Sequence, residues 1–547
     1  MQSREMSGSP RCFSTPIVTR DILRRPDLDD QSGARACSRQ GVAGVNNKMI
    51  RREFFKNSLL TAAALPARGL LGAAAPSGQI CEPVEFPKSP GLTRYVTEFI
   101  VNTKYEDIPA NVIELGKKTL LDGFGLALAG SVSVSGPIIR QYIETLGLSP
   151  GKASVIGTNL KLPVRFAALA NGIAIHADDY DDTGSALHVN APVLPPSFAQ
   201  CEVDRRSGKD FLLAYHVGIE VENKVGDAIS SRHNADGFHT TGTVGSFGSA
   251  AACAKLRGLN PAQTGRALGL AGSQASGLRD NFGTMTKPFH AGHAAESGVI
   301  SADLALLGWT ASEDILEAPL GFYQAEGGTY DPHSIVDRLG KPWMFASPGD
   351  LIKRFPCGTI QQAVMDEMLR LIRENHLKAA DVEKVEIVGS QNNVGTLFRH
   401  RPRTGLEAKF SMEYAVSVLL VVGKAGLSEF TDAVVQRPDV QDMISRSRFY
   451  ADPEFDKKGT QESLQARLVE GNLIRIYRKG GTVVTGKSAF AKGSPENPMT
   501  YDEVADKLRG NAEFAKWPKQ KTESIIEITK TIETLPNLSK LTAALTT

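Results

Sequence analysis

Hydrophobic residues recur every three or four positions over residues 85–347, and short clusters of glycine, proline and asparagine separate these segments. This spacing predicts helices. One segment follows Ile108-Pro109 and has apolar residues at Val112, Ile113, Leu115, Leu120, Leu121 and Phe124. Another begins at Asn260-Pro261, a helix cap followed by proline in the first turn. Because glycine weakens an isolated helix, the many glycines here predict closely packed helices in one large all-helical domain.

The pattern changes over residues 348–488. Residues 382–388 alternate between apolar and polar, as in a strand, and residues 473–477 and 482–485 flank Lys479-Gly480-Gly481, as in a hairpin. A helix is predicted over residues 359–374. We therefore expect a fold that is mainly α, with an α+β second domain inserted after the helical one.

Helical spacing returns over residues 489–547. Thr500 and Glu503 form the pattern of a capping box at the start of a helix. Because the helical pattern resumes after the α+β segment, we expect these C-terminal helices to pack back on the helical domain.

The first 78 residues are predicted to be a leader. Residues 1–48 are polar and rich in arginine, which indicates a disordered extension, or a mis-assigned start if Met49 is the true one. Residues 49–78 begin with Arg51-Arg52 and continue into a short apolar stretch that ends in alanines, like a twin-arginine export signal. The sequence thus predicts export to the periplasm by the twin-arginine machinery, without a stable membrane anchor. The alternative is an amphipathic surface helix.

Composition excludes several classes of protein. The 547 residues carry a formal net charge of +2, and the body of the chain has no run of basic residues, so nucleic acid is not an expected partner. The six cysteines are far apart and form no pattern typical of a zinc or iron–sulfur site.

The densest charged stretch is HADDYDDTGSALH, residues 176–188, with aspartates at 178, 179, 181 and 182. Its DDxxD pattern is found in magnesium-dependent terpenoid synthases, where carboxylates bind the metal through oxygen. Those enzymes carry a second magnesium motif, and this sequence shows none. The chain also concentrates histidines, with seven of its ten between residues 176 and 293.

Several ordered motifs together resemble the MmgE/PrpD family. They are HADDYDDT, GFHTTGTVGSFGSAAACAKLRGL, SQASGLRDNFGTMTKPFHAGHAA, KRFPCG and RPRTGLEAKFSMEYAV. That family includes 2-methylcitrate dehydratases, cis-aconitate decarboxylases and iminodisuccinate epimerases. The resemblance covers about residues 90–520. It implies a helical domain with an α+β lid and the site in the cleft between them, a homodimer, and activity without a metal or organic cofactor.

The resemblance also implies the catalytic residues, namely Asp179, Thr183, His188, His239 and Lys287. One residue fewer separates Thr183 from His188 than in the decarboxylase pattern. Such groups suit removal of a proton next to a carboxylate, because an ammonium group stabilises the resulting enolate-like charge and imidazoles move the proton.

The lid side supplies candidate substrate-binding residues. Lys353 and Arg354 in KRFPCG could hold a substrate carboxylate. Gln362 stands where relatives have a histidine, and it cannot titrate. His400, in the segment Leu397-Phe398-Arg399-His400, lies where a lid tyrosine is expected and not matched. These departures put methylcitrate dehydration and cis-aconitate decarboxylation in question.

The sequence therefore predicts a cofactor-independent lyase or isomerase, similar to 2-methylcitrate dehydratase, that acts on a small di- or tricarboxylate. The first alternative is a non-catalytic carboxylate-binding protein on the same fold. The remote alternative is the magnesium-dependent terpenoid synthase.

Overall fold

A computed structural model describes residues 91–185, 187–456, 471–488 and 490–547. The predicted extension and export signal lie outside the described residues. Within these ranges no single helix has the length and hydropathy of a membrane span. One bent pair, Ala110–Val132 with Ser135–Thr145, meets both criteria only when its two helices are taken together.

The first part of the described chain is helical. Its helices are α1 (Leu92–Asn102), α2 (Ala110–Val132), α3 (Ser135–Thr145), α4 (Val164–His176), α5 (Asn190–Asp204), α6 (Gly208–Ala228), α7 (Arg232–Ala235), α8 (Thr240–Thr243), α9 (Gly245–Arg257), α10 (Pro261–Gly272), α11 (Thr286–Leu306) and α12 (Phe322–Gly327). Strands β1 (Ala153–Ser154) and β2 (Lys161–Leu162) form a small antiparallel pair. Helices α4, α5, α9 and α11 pack on one another in the centre. The Asn260 side chain caps α10 as its sequence predicts.

The central helices approach closely because glycines face each other. A Cβ at Gly172 of α4 would lie 2.8 Å from the Cα of Gly292 of α11, so neither position has room for a side chain. The two helices run antiparallel through this crossing. The end of α4 therefore lies beside the start of α11, which brings His176 next to Lys287.

The second part combines helices with a four-stranded sheet. It contains α13 (Thr359–Glu374), α14 (Gln391–Thr396), α15 (Gly405–Ala408), α16 (Met412–Val422), α17 (Asp432–Val435), α18 (Pro438–Arg446), β3 (Val382–Gly389), β4 (Ser447–Ala451), β5 (Leu473–Arg478) and β6 (Val483–Lys487). The strand order is β4-β3-β5-β6, with β3 parallel to β4 and antiparallel to β5. Strands β5 and β6 form the predicted hairpin. This part has its own hydrophobic core.

The chain ends in α19 (Tyr501–Phe514), α20 (Lys519–Lys530) and α21 (Ser539–Leu545). Helix α19 packs on α2, where Lys507 Nζ lies 2.8 Å from Asp122 Oδ1. Six short 3-10 turns complete the described structure, at Tyr105–Asp107, Arg279–Asn281, Pro332–Ser334, Ala379–Asp381, Pro453–Asp456 and Ile532–Thr534. The predicted fold class, mainly α with an α+β second domain, is confirmed.

Candidate active site

The acidic stretch forms the loop between α4 and α5. Helix α4 ends at His176, and the chain turns sharply at Asp179, whose φ is 50°. Aspartate tolerates this left-handed conformation better than most residues, although it still costs some energy. The turn directs the buried Asp179 carboxylate toward the first turn of α11, where Lys287 lies.

Lys287 is the centre of the site. Its Nζ donates to Asp179 Oδ1 at 2.6 Å and to His176 Nε2 at 2.8 Å. The residue is only 3% exposed, and Nζ lies 5.2 Å and 5.5 Å from the centroids of the Phe282 and Phe410 rings. Apolar rings thus exclude water around the ammonium group, which strengthens its electrostatic interactions.

A second lysine, from the segment before α13, reaches the same carboxylate. Lys353 is fully buried, and its Nζ donates to the backbone carbonyl of Asp179 at 2.8 Å and lies 3.4 Å from Asp179 Oδ1. Asp179 Oδ2 is buried and accepts no hydrogen bond within the described structure. The ammonium groups of Lys287 and Lys353 thus face the carboxylates of Asp179 and Asp181, and these two lysines are the groups in the site that could attract an anionic ligand.

Hydrogen bonds define the protonation of two histidines. The ammonium group of Lys287 can only donate, so His176 Nε2 accepts and its Nδ1 donates to Asp181 Oδ2 at 2.8 Å. His188 Nδ1 lies 2.9 Å from the carbonyl oxygen of Asp182, which can only accept. Neutral His188 therefore has its lone pair on Nε2, 3.7 Å from Asp179 Oδ1. That nitrogen is available to take a proton.

His239 belongs to the same cluster. Its ring stacks on His176 with centroids 5.8 Å apart and meets the edge of Phe282 at 5.0 Å. Its Nδ1 lies 3.0 Å from His290 Nδ1, so one ring donates and the other accepts. This bond orients the His239 ring within the cleft.

The charged groups shift one another's pKa values. Burial alone would raise the pKa of Asp179, but the ammonium groups of Lys287 and Lys353 outweigh burial and hold that pKa well below its usual range. Burial lowers the pKa of Lys287, and the Asp179 carboxylate opposes this effect. The pair is thus an ammonium–carboxylate pair at neutral pH.

The pKa values of His188 and His239 are both lowered. Burial lowers the pKa of His188 well below its ordinary value, and the nearby Lys353 and Lys287 lower it further. Burial and Lys287 do the same to the pKa of His239. Both imidazoles are therefore neutral at pH 7, and each can serve as a proton acceptor.

The cluster also contains atoms of the types that bind metals. One ligand atom from each of His176, Asp179, Asp181 and His188 lies within 4.8 Å of the others. The Lys287 ammonium group hydrogen-bonds to two of these residues and so lies at the place where a cation would neutralise them. The arrangement can therefore use a lysine for the positive charge that a metal would supply.

The structure brings five of the predicted residues together: Asp179, His188, His239, Lys287 and Lys353. Thr183 lies at the edge of this group, where its backbone forms a β-bridge to Leu351 and its hydroxyl lies 2.9 Å from Thr359 Oγ1. It joins the two parts of the chain next to the site.

Three predicted substrate-binding residues do not join the cluster. Arg354 is 47% exposed at its side chain and pairs with Asp366 at 2.6 Å. The Gln362 amide accepts from the backbone of Arg354 and Phe355 and donates to backbone carbonyls of the same turn. His400 pairs with Glu413 at 2.9 Å and is 45% exposed. Arg354 and His400 are partly exposed and bind carboxylates of the protein itself. The buried Gln362 amide is used to hold its own turn.

Two histidines that the sequence analysis did not propose as site residues, His176 and His290, lie in contact with the predicted ones. The sequence feature that could have indicated His176 is its position at the start of the acidic stretch. Helix α4 ends there, and the His176 ring lies beside Asp181. Phe282 was named only as part of a motif. Its position five residues before Lys287 could have indicated that its ring packs against the site.

A second carboxyl group cluster lies behind the His188 loop. Asp182 and Asp350 are buried and lie close enough for each carboxyl group to affect the pKa of the other, and Asp182 Oδ2 and Asp350 Oδ1 accept no hydrogen bond in the described structure. Burial raises the pKa of Asp350 to about 7, and the carboxylate of Asp122 contributes. Burial and Asp350 also raise the pKa of Asp182 well above its usual range. The pair therefore retains a shared proton near neutral pH.

Replacing Asp350 with asparagine should flatten the pH dependence of stability. The pKa of Asp350 is higher in the folded than in the unfolded protein, so its contribution is present below about pH 4 and is lost as the pH rises through about 7. The asparagine amide can still donate and accept hydrogen bonds, but it does not titrate in this pH range. Between pH 5 and 8 the free energy of unfolding should fall by about 1–3 kcal/mol less in Asp350→Asn than in the wild type, as measured by urea unfolding.

The matched control is Asp442→Asn, because the Asp442 side chain is 61% exposed. Its pH dependence should equal that of the wild type. Equal slopes for Asp350→Asn and the wild type would contradict a shared proton at this pair.

The site thus holds a buried ammonium–carboxylate pair beside neutral imidazoles, a set of groups that can move a proton. The MmgE/PrpD N-terminal domain model matches residues 94–334, and the MmgE/PrpD C-terminal domain model matches residues 355–533. Human cis-aconitate decarboxylase is 30% identical over 465 residues, which cover 83% of this chain and 94% of the relative. The cis-aconitate decarboxylase of Aspergillus terreus is 29% identical over 447 residues, covering 77% of this chain and 89% of the relative.

The chain therefore belongs to the MmgE/PrpD family, and the predicted resemblance is confirmed. It is an enzyme of the lyase class. The terpenoid-synthase alternative does not agree with this membership, and the non-catalytic alternative does not agree with the lyase class.

Proposed function

We propose that this lyase acts on a small di- or tricarboxylate, without a metal or organic cofactor, by moving a proton at the carbon next to a carboxylate. The observation that carries the proposal is the buried Lys287 ammonium group, bonded to Asp179 at 2.6 Å, beside the free Nε2 of neutral His188. The names of the relatives make cis-aconitate the first substrate to test.

Each group has a chemical part in this proposal. A substrate carboxylate binds near Lys287 and Lys353, whose positive charges attract it. When the neighbouring C–H bond breaks, its electron pair moves into the carboxylate and gives an enolate-like dianion, which the ammonium groups stabilise. His188 Nε2 takes the proton and can return it to carbon. In a decarboxylation, the C–C bond to one carboxylate breaks and CO₂ leaves. The electron pair of that bond stays on the substrate as the same enolate-like charge, and a proton from water, passed through an imidazole, is added to carbon.

The direct test is turnover of a carboxylate panel in D₂O, followed by ¹H NMR and by detection of CO₂. The panel contains cis-aconitate, citrate and 2-methylcitrate, which separates decarboxylation from dehydration. We expect turnover or deuterium incorporation with at least one of them, and no loss of rate after EDTA treatment. Absence of both turnover and exchange across the panel would overturn the proposal. Loss of activity in EDTA with recovery on adding magnesium would overturn its cofactor-independent part.

We also propose that residues 49–78 direct export to the periplasm and that the enzyme is a homodimer. The twin arginine at Arg51-Arg52 supports the first part, and family membership supports the second. Arg51→Lys with Arg52→Lys should abolish export of a fused reporter in cells with a twin-arginine system. Light scattering of the purified protein measures the oligomeric state.

A further inference from the structure

Two arginines at the edge of the cleft have only neutral partners. Arg279 donates to the Asn234 carbonyl oxygen at 2.8 Å and to Thr396 Oγ1 at 3.1 Å. Arg399 donates to the carbonyl oxygen of Phe282 at 3.3 Å, and its Nε is buried with no acceptor among the described residues. Within the described ranges neither guanidinium has a carboxylate within ion-pair distance, in contrast to the Arg354–Asp366 pair.

Both arginines lie next to the candidate site through Phe282. The Cζ of Arg279 is 5.9 Å from the centroid of the Phe282 ring, and Lys287 Nζ is 5.2 Å from the same centroid. Arg399 contacts the backbone of Phe282, and its Nε lies 3.5 Å from the position that a Cβ atom would take at Gly283. The positive charge of Arg279 also helps to lower the pKa of His239, after burial and Lys287.

The two arginines come from different parts of the chain, and each bonds to a residue of the other part. Arg279 belongs to the helical domain and bonds to Thr396 of the α+β domain. Arg399 belongs to the α+β domain and bonds to Phe282 of the helical domain. A carboxylate bound by both would therefore contact both domains at once.

Guanidinium groups that are partly buried without a counter-ion lose hydration that neutral acceptors only partly replace. A planar carboxylate can supply both the charge and the bidentate hydrogen bonds that such groups make. We propose that Arg279 and Arg399 form a second carboxylate subsite, which binds the substrate carboxylate farther from the reacting carbon and so selects di- and tricarboxylates over monocarboxylates. This inference rests on the proposed function and names the residues that define its substrate class.

The test is ligand binding, because it does not depend on turnover. Isothermal titration calorimetry measures the affinity for propane-1,2,3-tricarboxylate, and ligand-observed NMR measures the affinity for acetate. Both use the full chain as the wild type, Arg399→Gln and Arg279→Lys. We expect Arg399→Gln to weaken tricarboxylate binding by about ten- to a hundredfold and to leave acetate binding unchanged. Arg279→Lys keeps the charge but loses the planar fork, and it should weaken tricarboxylate binding by a smaller factor.

Arg401→Gln is the matched control, since Arg401 is exposed and lies two residues from Arg399. Its affinities should equal those of the wild type. The subsite is overturned if the wild type does not prefer the tricarboxylate to acetate, or if Arg399→Gln and Arg401→Gln bind alike. Arginine-dependent binding without any turnover would leave the subsite standing and overturn the proposed lyase reaction. Turnover together with binding that does not depend on the arginines would overturn the subsite and leave the proposed lyase reaction standing.

Discussion

Replacing Lys287 with methionine should lower kcat/KM by about a hundred- to a thousandfold. The side chain is buried, and its ammonium group is bonded to both Asp179 and His176. Methionine fills a similar volume but provides no charge for the enolate-like transition state. The loss should appear mainly in kcat, measured by NMR turnover of the substrate that the panel identifies.

The substitution also leaves the Asp179 carboxylate without its closest cation, so some stability will be lost as well. The double variant Lys287→Met with Asp179→Asn also removes the carboxylate that has lost its closest cation. It should recover thermal stability while remaining inactive. If the double variant recovers activity together with stability, Lys287 acts through folding alone and its electrostatic role is wrong.

Lys255→Met is the control for removing a lysine that donates to backbone carbonyls. Its Nζ bonds to the carbonyl oxygens of Ile100 and Val101, outside the candidate site. The variant should have the kcat of the wild type.

Replacing His188 with asparagine should abolish proton exchange at the carbon next to the carboxylate, with kcat reduced by about a thousandfold. The asparagine amide can still donate to the Asp182 carbonyl oxygen, as His188 Nδ1 does at 2.9 Å. It has no nitrogen at the position of Nε2, so the loop is kept and the base is removed. KM should change little, and circular dichroism should be unchanged.

The pH dependence of exchange provides an independent check on His188. Burial and the neighbouring lysines hold its pKa well below the ordinary histidine value, so Nε2 is already unprotonated at neutral pH. The wild-type exchange rate should therefore stay level as the pH falls through 6.5 and decline only in more acidic solution. A half-maximal wild-type rate near pH 6.5 would contradict the buried, cation-flanked environment of His188.

The two kinds of secondary structure could be predicted because each depends on nearby residues. The predicted helix over residues 359–374 is observed as Thr359–Glu374, and the strand predicted over 382–388 is observed as Val382–Gly389. Local caps also agreed, as at Asn260 and at Thr500, where the side chain accepts from the backbone of Glu503. Periodicity and capping act within a few residues, so these features follow from the sequence alone.

The site was predicted in part, and each failure has its own local cause. Gln362 is polar and lies in a motif of interest, but its amide is used by the backbone of its own turn. Arg354 is next to the buried Lys353, yet it points outward to Asp366. Neighbouring residues in an extended segment point in opposite directions, and the sequence does not say which one faces the cleft.

The sequence by itself determined the helical and α+β parts, the family, and most of the polar residues that meet in the cleft. Only the tertiary structure decided which of them meet and how they are protonated. Lys287 and His176 are 111 residues apart, and they touch because two helices cross at Gly172 and Gly292. The tautomers of His176 and His188 follow from the partners that this crossing and the Asp179 turn provide. Such contacts depend on the packing of whole helices, which no local pattern records.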